Sequence, residues 1–519
     1  MKESTIYRRR ERLRKMTSGS GLGDAYGATI DRIKAQGGDR PGLGMSALMC
    51  ISHAERPLSA DELCHAVAIE LGSTNFNADN VPSMSTLLGC CQGLITVNKE
   101  ASTVRLIHFT LQEYLSTSAD IFSTPHSTMT EICLTYLNSE QIMAIPADSS
   151  PNIPNIPFLK HCFLYWGAHA KRELSDHARP LALQLLLECD GHISIKSFLE
   201  QSGYSWFLRT GRDLRFNGLH WASFFGVAEL VAALIEMGCY DTDVEDFWGR
   251  TPLALAAENG HEEVVKILLE RGEANPNKPD ASGLAPISCA AMSGHGAVVK
   301  IFIGREDVNP HRRDNAGTIP ITLAARRGHT EVVKILLAHQ DVNPNKLDTW
   351  DATLLWDAAA GGNEGAAIIL LGREEVNPDK PDGDGRTLLS HAAGNGHVGV
   401  IKILLGCQEI NPNKPDNSGR TPFSHAAGAG DGEVVKILLG CPEINPEKSD
   451  NDGRTPLFYA AMGGSEEVVK MLLGCEKVNP NKLDNYSITA LYFASGSKLE
   501  RLMKMLRGRE EVNPDQPTH

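Results

Sequence analysis

The stretch Gly249-Arg-Thr-Pro-Leu-Ala-Leu-Ala-Ala-Glu-Asn-Gly-His-Glu-Glu-Val-Val-Lys-Ile-Leu-Leu269 is one unit of a repeat that fills the second half of this 519-residue chain. Thr251 suits a helix N-cap, and Pro252 suits the first helical turn, where its missing N–H costs nothing. Gly260 ends this first helix, because glycine adopts the left-handed conformation cheaply. The apolar residues from Val264 to Leu269 then form the buried face of a second helix.

An Asn-Pro pair follows each unit and returns every 34 residues, eight times without a slip. The pairs begin at Asn275, Asn309, Asn343, Asn377, Asn411, Asn445, Asn479 and Asn513. A fixed period in the range of about 20–50 residues is the signature of a solenoid. Two antiparallel helices and a turn cannot bury an apolar face alone, so stacked neighbours complete the core. Counting backwards finds one more, degenerate unit around Leu219–Ile235, and we expect about nine repeats over 214–516.

The string Gly-x-Thr-Pro-Leu-x-x-Ala-Ala-x-x-Gly-His-x-x-Val-Val-x-x-Leu-Leu resembles the ankyrin repeat, whose usual period is 33. It recurs as Gly419-Arg-Thr-Pro-Phe with Ala426-Ala427, and as Gly453-Arg-Thr-Pro-Leu with Ala460-Ala461. The resemblance implies a mostly α-helical solenoid that binds another protein. It also implies one extra residue per unit, which we place in the finger, the turn segment that joins one helix pair to the next.

Two units depart from the repeat pattern. In the last unit Arg507 stands where other units have Leu, which predicts a polar C-terminal cap. In the unit near 349–372, Asp351 replaces the turn glycine, Asp357 replaces an apolar helix residue, and three glycines crowd Gly361–Gly365. Each Gly inside a helix costs about 1 kcal/mol relative to Ala. We therefore expect this unit to be the hinge or first opening point of the solenoid.

Before the repeats the 34-residue period vanishes. A capping box formed by Ser59 and Glu62 opens an apolar-periodic helix, and a second helix fits Ser83–Leu94. The segment Ile95–Phe109 alternates around a polar turn, as a hairpin does, and a further helix is expected near 128–137. The predicted regions are a basic N-terminus with a helical remnant at 1–54, a winged-helix-like α/β-hairpin domain at 55–145, a helical linker region at 146–213 and the repeats at 214–516.

Three segments of this half, Glu62–Glu70, Leu87–Leu94 and Val104–Leu115, resemble the winged-helix segment after the nucleotide-binding module of fungal NACHT–ankyrin proteins. That family looks like signalling ATPases of the NOD-like (STAND) kind, with ankyrin arrays as sensors. The chain departs from the family because its sequence contains no Gly-x-x-x-x-Gly-Lys-Ser/Thr, the loop that holds nucleotide phosphates. The resemblance therefore implies the back end of such a protein, either truncated or separately encoded.

The composition limits the other function classes. A net charge of −14 and a pI near 5.7 disfavour general binding to nucleic acid or to an anionic membrane. The sequence has no apolar run of 18 residues and no apolar core of a signal peptide, so we expect no membrane span. The twelve cysteines form no Cys-x-x-Cys pattern. We expect reduced thiols and a cytoplasmic location, with a nuclear one as the alternative.

No catalytic arrangement is anchored by a motif, so we expect no enzymatic activity, no cofactor and no small-molecule substrate. His391 and His425 share a register in adjacent units, but two ligands alone make a poor zinc site. Another register of histidines is better explained as a bridge across the turn between helices than as a metal site. Its members are His261, His295, His329 and His397.

Partner-binding residues can be found among those that deviate from the repeat pattern on the fingers and first helices. Aromatic and Arg side chains dominate interface hot spots. Four of the Arg form a basic cluster suited to an acidic peptide or a phosphate. The predicted partner-binding residues are Trp248, Arg312, Arg313, Arg326, Arg327, Trp350, Trp356, Phe458, Tyr459, Tyr486 and Tyr492.

The leading interpretation is a non-enzymatic scaffold or sensor that binds a protein partner through the concave face of an ankyrin solenoid, in NOD-like signalling or regulation. A DNA-binding regulator that uses the winged helix is the first alternative. Segment 56–145 carries three basic and nine acidic side chains, a net charge of −6, which opposes phosphate binding. A regulatory fragment of a nucleotide-switched ATPase is the second alternative, and it requires a phosphate loop.

Overall fold

The computed structural model of the chain is mostly α-helical. It describes residues 20–73, 76–98, 100–118, 120–145, 156–188, 215–271, 274–339, 353–374 and 376–490. The chain divides into two compact units. The first comprises 1–256 with 263–274, and the second comprises 257–262 with 275–519.

The first unit begins with a helical domain that carries a small β-hairpin, as the sequence predicts. Strands β1 (Ile95–Asn98) and β2 (Thr103–Leu106) pair antiparallel, with Ile95 opposite Leu106. Leu58 accepts a hydrogen bond from the amide of Val104 at 2.8 Å, which ties the hairpin to the segment before the third helix. The surrounding helices are α1 (Ser20–Lys34), α2 (Arg40–His53), α3 (Ala60–Val67), α4 (Met84–Cys90), α5 (Phe109–Thr117) and α6 (Pro125–Leu137).

The capping box predicted at the start of α3 is confirmed. The Ser59 hydroxyl accepts a hydrogen bond from the Glu62 amide at 3.1 Å, and the Glu62 carboxylate accepts one from the Ser59 amide at 2.7 Å. Arg56 Nη1 also donates to this carboxylate at 3.0 Å. Two otherwise orphaned amides at the helix start are thereby satisfied.

Two longer helices connect this domain to the first repeat within the same unit. The Trp166 ring meets the Trp221 ring edge to face, with centroids 5.7 Å apart. A Cβ on Gly167 would lie 2.1 Å from the Phe225 ring, so only glycine permits this close approach. The helices therefore pack firmly against the repeat. The elements between the hairpin domain and the repeats are α7 (Glu140–Met143), α8 (Leu159–Arg172) and α9 (Ala178–Leu187).

Eight helix pairs at the 34-residue spacing lie within the described residues, so the predicted helical repeat is confirmed. Thr251 caps the first helix of its repeat, since its hydroxyl accepts from the Ala254 amide at 3.2 Å, and Gly260 has the expected left-handed φ of 72°. The predicted cap around Arg507 lies outside the described residues. The pairs are α10 (Gly218–Phe225) with α11 (Ala228–Glu236), α12 (Pro252–Glu258) with α13 (Glu262–Glu270), α14 (Pro286–Ser293) with α15 (Gly296–Ile303), α16 (Pro320–Arg327) with α17 (Thr330–Leu337), α18 (Leu354–Ala360) with α19 (Glu364–Leu371), α20 (Leu388–Gly394) with α21 (Val398–Leu405), α22 (Pro422–Ala429) with α23 (Gly432–Leu439), and α24 (Pro456–Gly463) with α25 (Glu466–Leu473).

Within the described residues, the Asn-Pro pairs form turns whose asparagines also contribute to the stacking of repeats. Asn411 Oδ1 accepts a hydrogen bond from the Asn413 amide at 3.0 Å, across the intervening Pro, which has no N–H of its own. Asn413 Oδ1 then accepts from the Asn445 amide of the next repeat at 2.8 Å. The same pair of contacts recurs with Asn277 and Asn309. The motif therefore links neighbouring fingers as well as reversing the chain.

The histidines between the two helices of a repeat also bond to the preceding repeat. His329 Nε2 donates to the Met292 carbonyl at 2.9 Å, and His397 Nε2 donates to the Ala360 carbonyl at 2.8 Å. In the repeat at α18–α19, Asn363 stands at this register and donates to the Ala325 carbonyl at 2.6 Å. These contacts support the structural interpretation of the histidine register.

The unusual repeat at α18–α19 is held to its neighbour by a buried ion pair. Asp357 occupies the helix position that Leu323 has in the preceding repeat and is only 1% exposed, and its Oδ1 lies 2.6 Å from Arg326 Nε of that repeat. Gly362 has a φ of 69°, as the glycine at this register has in other repeats. A Cβ on Gly365 would lie 2.5 Å from the Thr330 hydroxyl, so this glycine permits close packing of α19 on α17. The hinge hypothesis stays a prediction.

Candidate functional site

One column of side chains runs across the first helices of successive repeats in the second unit. Its members are 34 residues apart, at Asp357, His391, His425 and Tyr459. His391 Nε2 donates to Asp382 Oδ2 at 2.8 Å, and His425 Nε2 donates to Asp416 Oδ2 at 2.9 Å. The Tyr459 hydroxyl donates to Asp450 Oδ2. Three successive repeats therefore pair a first-helix side chain with an aspartate of their own finger.

The finger aspartates are themselves fixed by the backbone. Asp416 Oδ1 accepts hydrogen bonds from the amides of Ser418 and Arg420, both at 2.9 Å. The turn closes because the Asp416 amide donates to the Arg420 carbonyl at 2.9 Å. The other carboxylate oxygen is left to hold His425. A rigid turn thus sets the direction of both the aspartate and its histidine partner.

The environment keeps His425 and Tyr459 in their neutral, proton-donating forms. Burial lowers the pKa of His425, although Asp416 opposes the shift, so the ring is neutral at pH 7 and its N–H faces the carboxylate. Burial and the bond to Asp450 raise the pKa of Tyr459 to about 12, so the phenol retains its proton. These groups contribute hydrogen-bonding capacity rather than net charge.

Beside this column lies a second one made of arginines, at Arg386, Arg420 and Arg454. The Arg420 guanidinium lies 4.5 Å from the centroid of the Tyr459 ring in the next repeat. The Arg454 guanidinium lies 5.8 Å from the ring centroid of Tyr486, again in the next repeat. A cation over an aromatic face at these distances is attracted by the ring quadrupole. Each of these two arginines therefore reaches across a repeat boundary.

Members of both columns line one pocket of about 360 Å³. We call the surface around it the first-helix face, which comprises α18, α20, α22 and α24, the fingers that precede α20, α22 and α24, and the finger at 484–488. Met462 at its edge is 49% exposed, so an apolar side chain adjoins the polar floor. The charged and polar residues that line the pocket include Arg386, His391, Arg420, His425 and Tyr459.

The structure brings most of the predicted aromatic residues onto or beneath this face. The Trp356 ring contacts the His391 ring edge to face, with centroids 4.9 Å apart. Phe458 and Tyr459 are only 2% and 3% exposed, so both contribute mainly to the packing of α24, whereas Tyr486 is 61% exposed.

The other predicted aromatics lie elsewhere. Trp248 belongs to the first unit, where the Arg250 guanidinium lies 4.8 Å from its ring centroid. Trp350 and Tyr492 lie outside the described residues.

The predicted basic cluster has members with different local roles. Arg326 forms the ion pair with Asp357 described above. Arg313 is exposed, and its Nη1 donates to the Gly317 carbonyl of its own finger at 2.7 Å. Arg312 is half-buried, and Arg327 is exposed at the end of α16. Of the four arginines, Arg326 is thus the one that pairs with a buried carboxylate.

Sequence reasoning missed the Arg386, Arg420 and Arg454 column. Each of these residues occupies the second position of a Gly-Arg-Thr string, which the repeat pattern assigns to the scaffold. The available signal was the regular spacing itself, since three consecutive repeats place a long cation at one register. The carboxylate partners of His391 and His425 were missed for a related reason, because each aspartate lies nine residues upstream.

A family model described as ankyrin repeats (3 copies) matches the chain in overlapping segments at 183–280, 219–314, 287–382, 355–450 and 423–517. The chain is an ankyrin-repeat protein. Stacked repeats of this kind create extended concave surfaces that bind other proteins, so the ankyrin array is a protein-interaction scaffold in general terms.

The domain before the ankyrin repeats also has a recognised relative. Residues 36–124 match a family model described as GPI inositol-deacylase, winged helix domain. No curated protein matches the chain. Among the described residues, no helix combines the length and the apolar character needed to cross a membrane.

Proposed function

We propose that this ankyrin-repeat protein binds a protein partner through the concave face of its solenoid, and that the first-helix face around Arg386, Arg420 and Met462 is the centre of that interface. The observation that carries the proposal is the combination of two columns, one of cations and one of ring side chains, at a single pocket. Arg and Tyr are enriched among the residues that dominate binding energy at protein interfaces.

The chemistry of the pocket favours a partner segment that combines a carboxylate or phosphate with an apolar side chain. Arg420 offers planar donors that match an anion in a bidentate manner, and Arg386, whose Nε lies 4.0 Å from Asp416 Oδ2, adds a second cation. Exposed Met462 offers apolar contact area at the rim of the pocket, and exposed Tyr486 offers aromatic contact area in the next finger, beside Arg454. Phosphate or acidic groups would meet the arginines, since the neighbouring histidines already donate to Asp382 and Asp416.

The partner surface extends, in this proposal, to the exposed members of the predicted set. Arg312, Arg313 and Arg327 lie on the finger and first helix of one repeat, and Trp350 and Tyr492 belong to the same proposal from sequence alone. Arg326 is excluded from any charge-reversal test, because a carboxylate at this position would face buried Asp357.

We also propose that the protein acts in NOD-like signalling or its regulation, in the cytoplasm or the nucleus. Support comes from the order of the chain, a winged-helix domain followed by packed helices and an ankyrin array, which resembles the back half of NACHT–ankyrin proteins. Imaging of a fluorescent fusion tests the location, and confinement to a membrane-bounded organelle would contradict it.

The interface is tested by comparing two matched variants of the full chain as affinity baits. The first carries Arg386→Ser, Arg420→Ser and Tyr486→Ser on the first-helix face. The control carries Lys402→Ser and Lys436→Ser, which remove exposed cations from second helices of two of the same repeats. Circular dichroism melting checks that both variants fold.

A partner identified with the unmodified chain should be retained by the control and lost by the first-helix variant. Equal retention by both variants would reject the proposed interface. Loss of the partner from the control alone would place the binding surface on the second helices instead.

A further inference from the structure

Three potential metal ligands from three separate elements meet in the first unit. Glu55 follows the end of α2, His126 lies in the first turn of α6, and His169 lies in the last turn of α8. Their closest nitrogen and oxygen atoms all lie within 4.8 Å of one another. His126 Nδ1 is 2.9 Å from His169 Nδ1, and His169 Nδ1 is 3.9 Å from Glu55 Oε1.

The two distances from His169 Nδ1 are close to those of a tetrahedral zinc site. Zinc binds imidazole nitrogen at about 2.0–2.1 Å and carboxylate oxygen at about 2.0–2.2 Å, which places neighbouring ligand atoms about 3.3–3.5 Å apart. The nitrogen pair would have to separate by about half an ångström, and the Glu55 oxygen would have to approach by a similar amount. Rotation of side chains at Glu55 and His126, which are only half-buried, can supply both movements.

The position that a fourth ligand would take is accessible to solvent. A pocket of about 440 Å³ opens beside Glu55 and His126, and Ser52, His53 and Arg172 also line it. His169 lies behind these residues and is fully buried. Two histidines and one carboxylate with one open position are a ligand set found in zinc proteins.

We propose that Glu55, His126 and His169 bind one divalent transition-metal ion, with Zn²⁺ as the chemically best match, and with water from the adjoining pocket as the fourth ligand. The ion would join α2, which lies in the matched winged-helix segment, and α6, which follows that segment, to α8, the helix that packs against the first repeat through Trp166. Metal binding would therefore strengthen the connection between this domain and the start of the ankyrin array.

Arg172 provides a further test of the proposal, because it would compete with the metal ion for the Glu55 carboxylate. Arg172 is ion-paired with Glu55, and its Nη2 lies 3.4 Å from Glu55 Oε2. A guanidinium at this distance repels a metal cation and holds the carboxylate away from it. Arg172→Ala should therefore increase the metal affinity, whereas a purely structural role for the cluster gives no reason for such an increase.

The full chain is first treated with a chelator and then titrated with Co²⁺, whose visible absorption reports a tetrahedral site. Zn²⁺ is then added as a competitor. We expect one equivalent of Co²⁺ to bind, Zn²⁺ to displace it and Zn²⁺ to raise the melting temperature. The double variant Glu55→Gln/His126→Ala should lose the absorption band. His108→Gln removes an exposed histidine from the same domain and should leave the band unchanged.

Both substituted ligands are half-buried, and fully buried His169 is left intact so that the variant folds. No uptake by the unmodified chain would overturn the proposal, and it would leave a hydrogen bond between the two imidazoles as the role of the cluster. Unchanged uptake by the double variant would also overturn it, as would weaker uptake by Arg172→Ala.

Discussion

Replacing Arg326 with Met should loosen the repeat formed by α18 and α19. Met is a suitable substitute, because Met292 and Met462 occupy the same register in other repeats. The substitution removes the cation that faces Asp357, whose side chain is 1% exposed. A buried carboxylate without its cation is strongly unfavourable, since the protein interior solvates charge poorly.

The magnitude follows from the geometry of the pair. At the observed 2.6 Å between Arg326 Nε and Asp357 Oδ1, the gross attraction is about 6 kcal/mol at an effective dielectric constant of about 20. The cost of burying Asp357 offsets part of this attraction, and loss of one partner of a buried pair costs about 3–5 kcal/mol. Because the Arg326 side chain is 36% exposed, we expect the lower end, about 3 kcal/mol.

Hydrogen–deuterium exchange measures this change locally, which matters because a repeat array need not unfold in one step. A loss of about 3 kcal/mol should accelerate the exchange of amides in 354–371 about 100-fold, since each 1.4 kcal/mol is a factor of ten. Amides in 421–439 serve as the internal reference and should change little.

The double variant Arg326→Met/Asp357→Leu tests the physical reason. Leu323 stands at the Asp357 register in the preceding repeat, so the apolar pair fits the scaffold. We expect the double variant to regain at least the protection of the unmodified chain. Unchanged exchange in the single variant, or further loss in the double variant, would refute the explanation.

Four further predictions concern stability. In the unmodified chain, amides in 353–371 should exchange faster than those in 421–439 if the unusual repeat is the hinge, and equal protection would contradict this. Burial lowers the pKa of His220 to about 4, so its neutral ring stabilises the fold above pH 6.5. In urea titrations, the free energy of unfolding should therefore fall by about 3 kcal/mol between pH 6.5 and pH 4, and His220→Gln should reduce this pH dependence. Asn451→Ala removes a 3.0 Å hydrogen bond to the Asn417 carbonyl and should cost about 1 kcal/mol by the same titration at pH 7. Leu438→Ala truncates a fully buried side chain and should lower the local stability by about 2–5 kcal/mol. Hydrogen–deuterium exchange should show this loss only in α23 and the helices that contact it.

The sequence predicted the local structure of the repeats well because each signal acts over a few residues. Thr251 and Gly260 mark helix ends through contacts with their own turn, so the prediction needed no knowledge of neighbours. The capping box at Ser59 succeeded for the same reason. Short-range hydrogen bonding and the helical period were sufficient for the fold.

The candidate site depends on contacts between repeats, and these were harder to predict. Arg326 meets Asp357 across 31 residues, so an apparent defect in one repeat is compensated by its neighbour. Arg420 reaches Tyr459 in the same manner. The cluster at Glu55 depends on packing between helices far apart in the chain, which no period or motif reveals.

The hydrogen bonds that the histidines between helices and the finger asparagine Asn451 make to the preceding repeat share one polarity, whereas Arg326 and Asn413 donate in the opposite direction. The shared polarity bears on how the chain assembles during synthesis. His329, His397 and Asn451 are donors on a later repeat, and each acceptor is a carbonyl of the repeat before it. A folded N-terminal portion thus displays carbonyls that water can solvate until the next segment leaves the ribosome. When the next repeat folds, the carbonyls that accept its histidine and asparagine hydrogen bonds are already in place. The array can therefore lengthen one repeat at a time in the direction of translation.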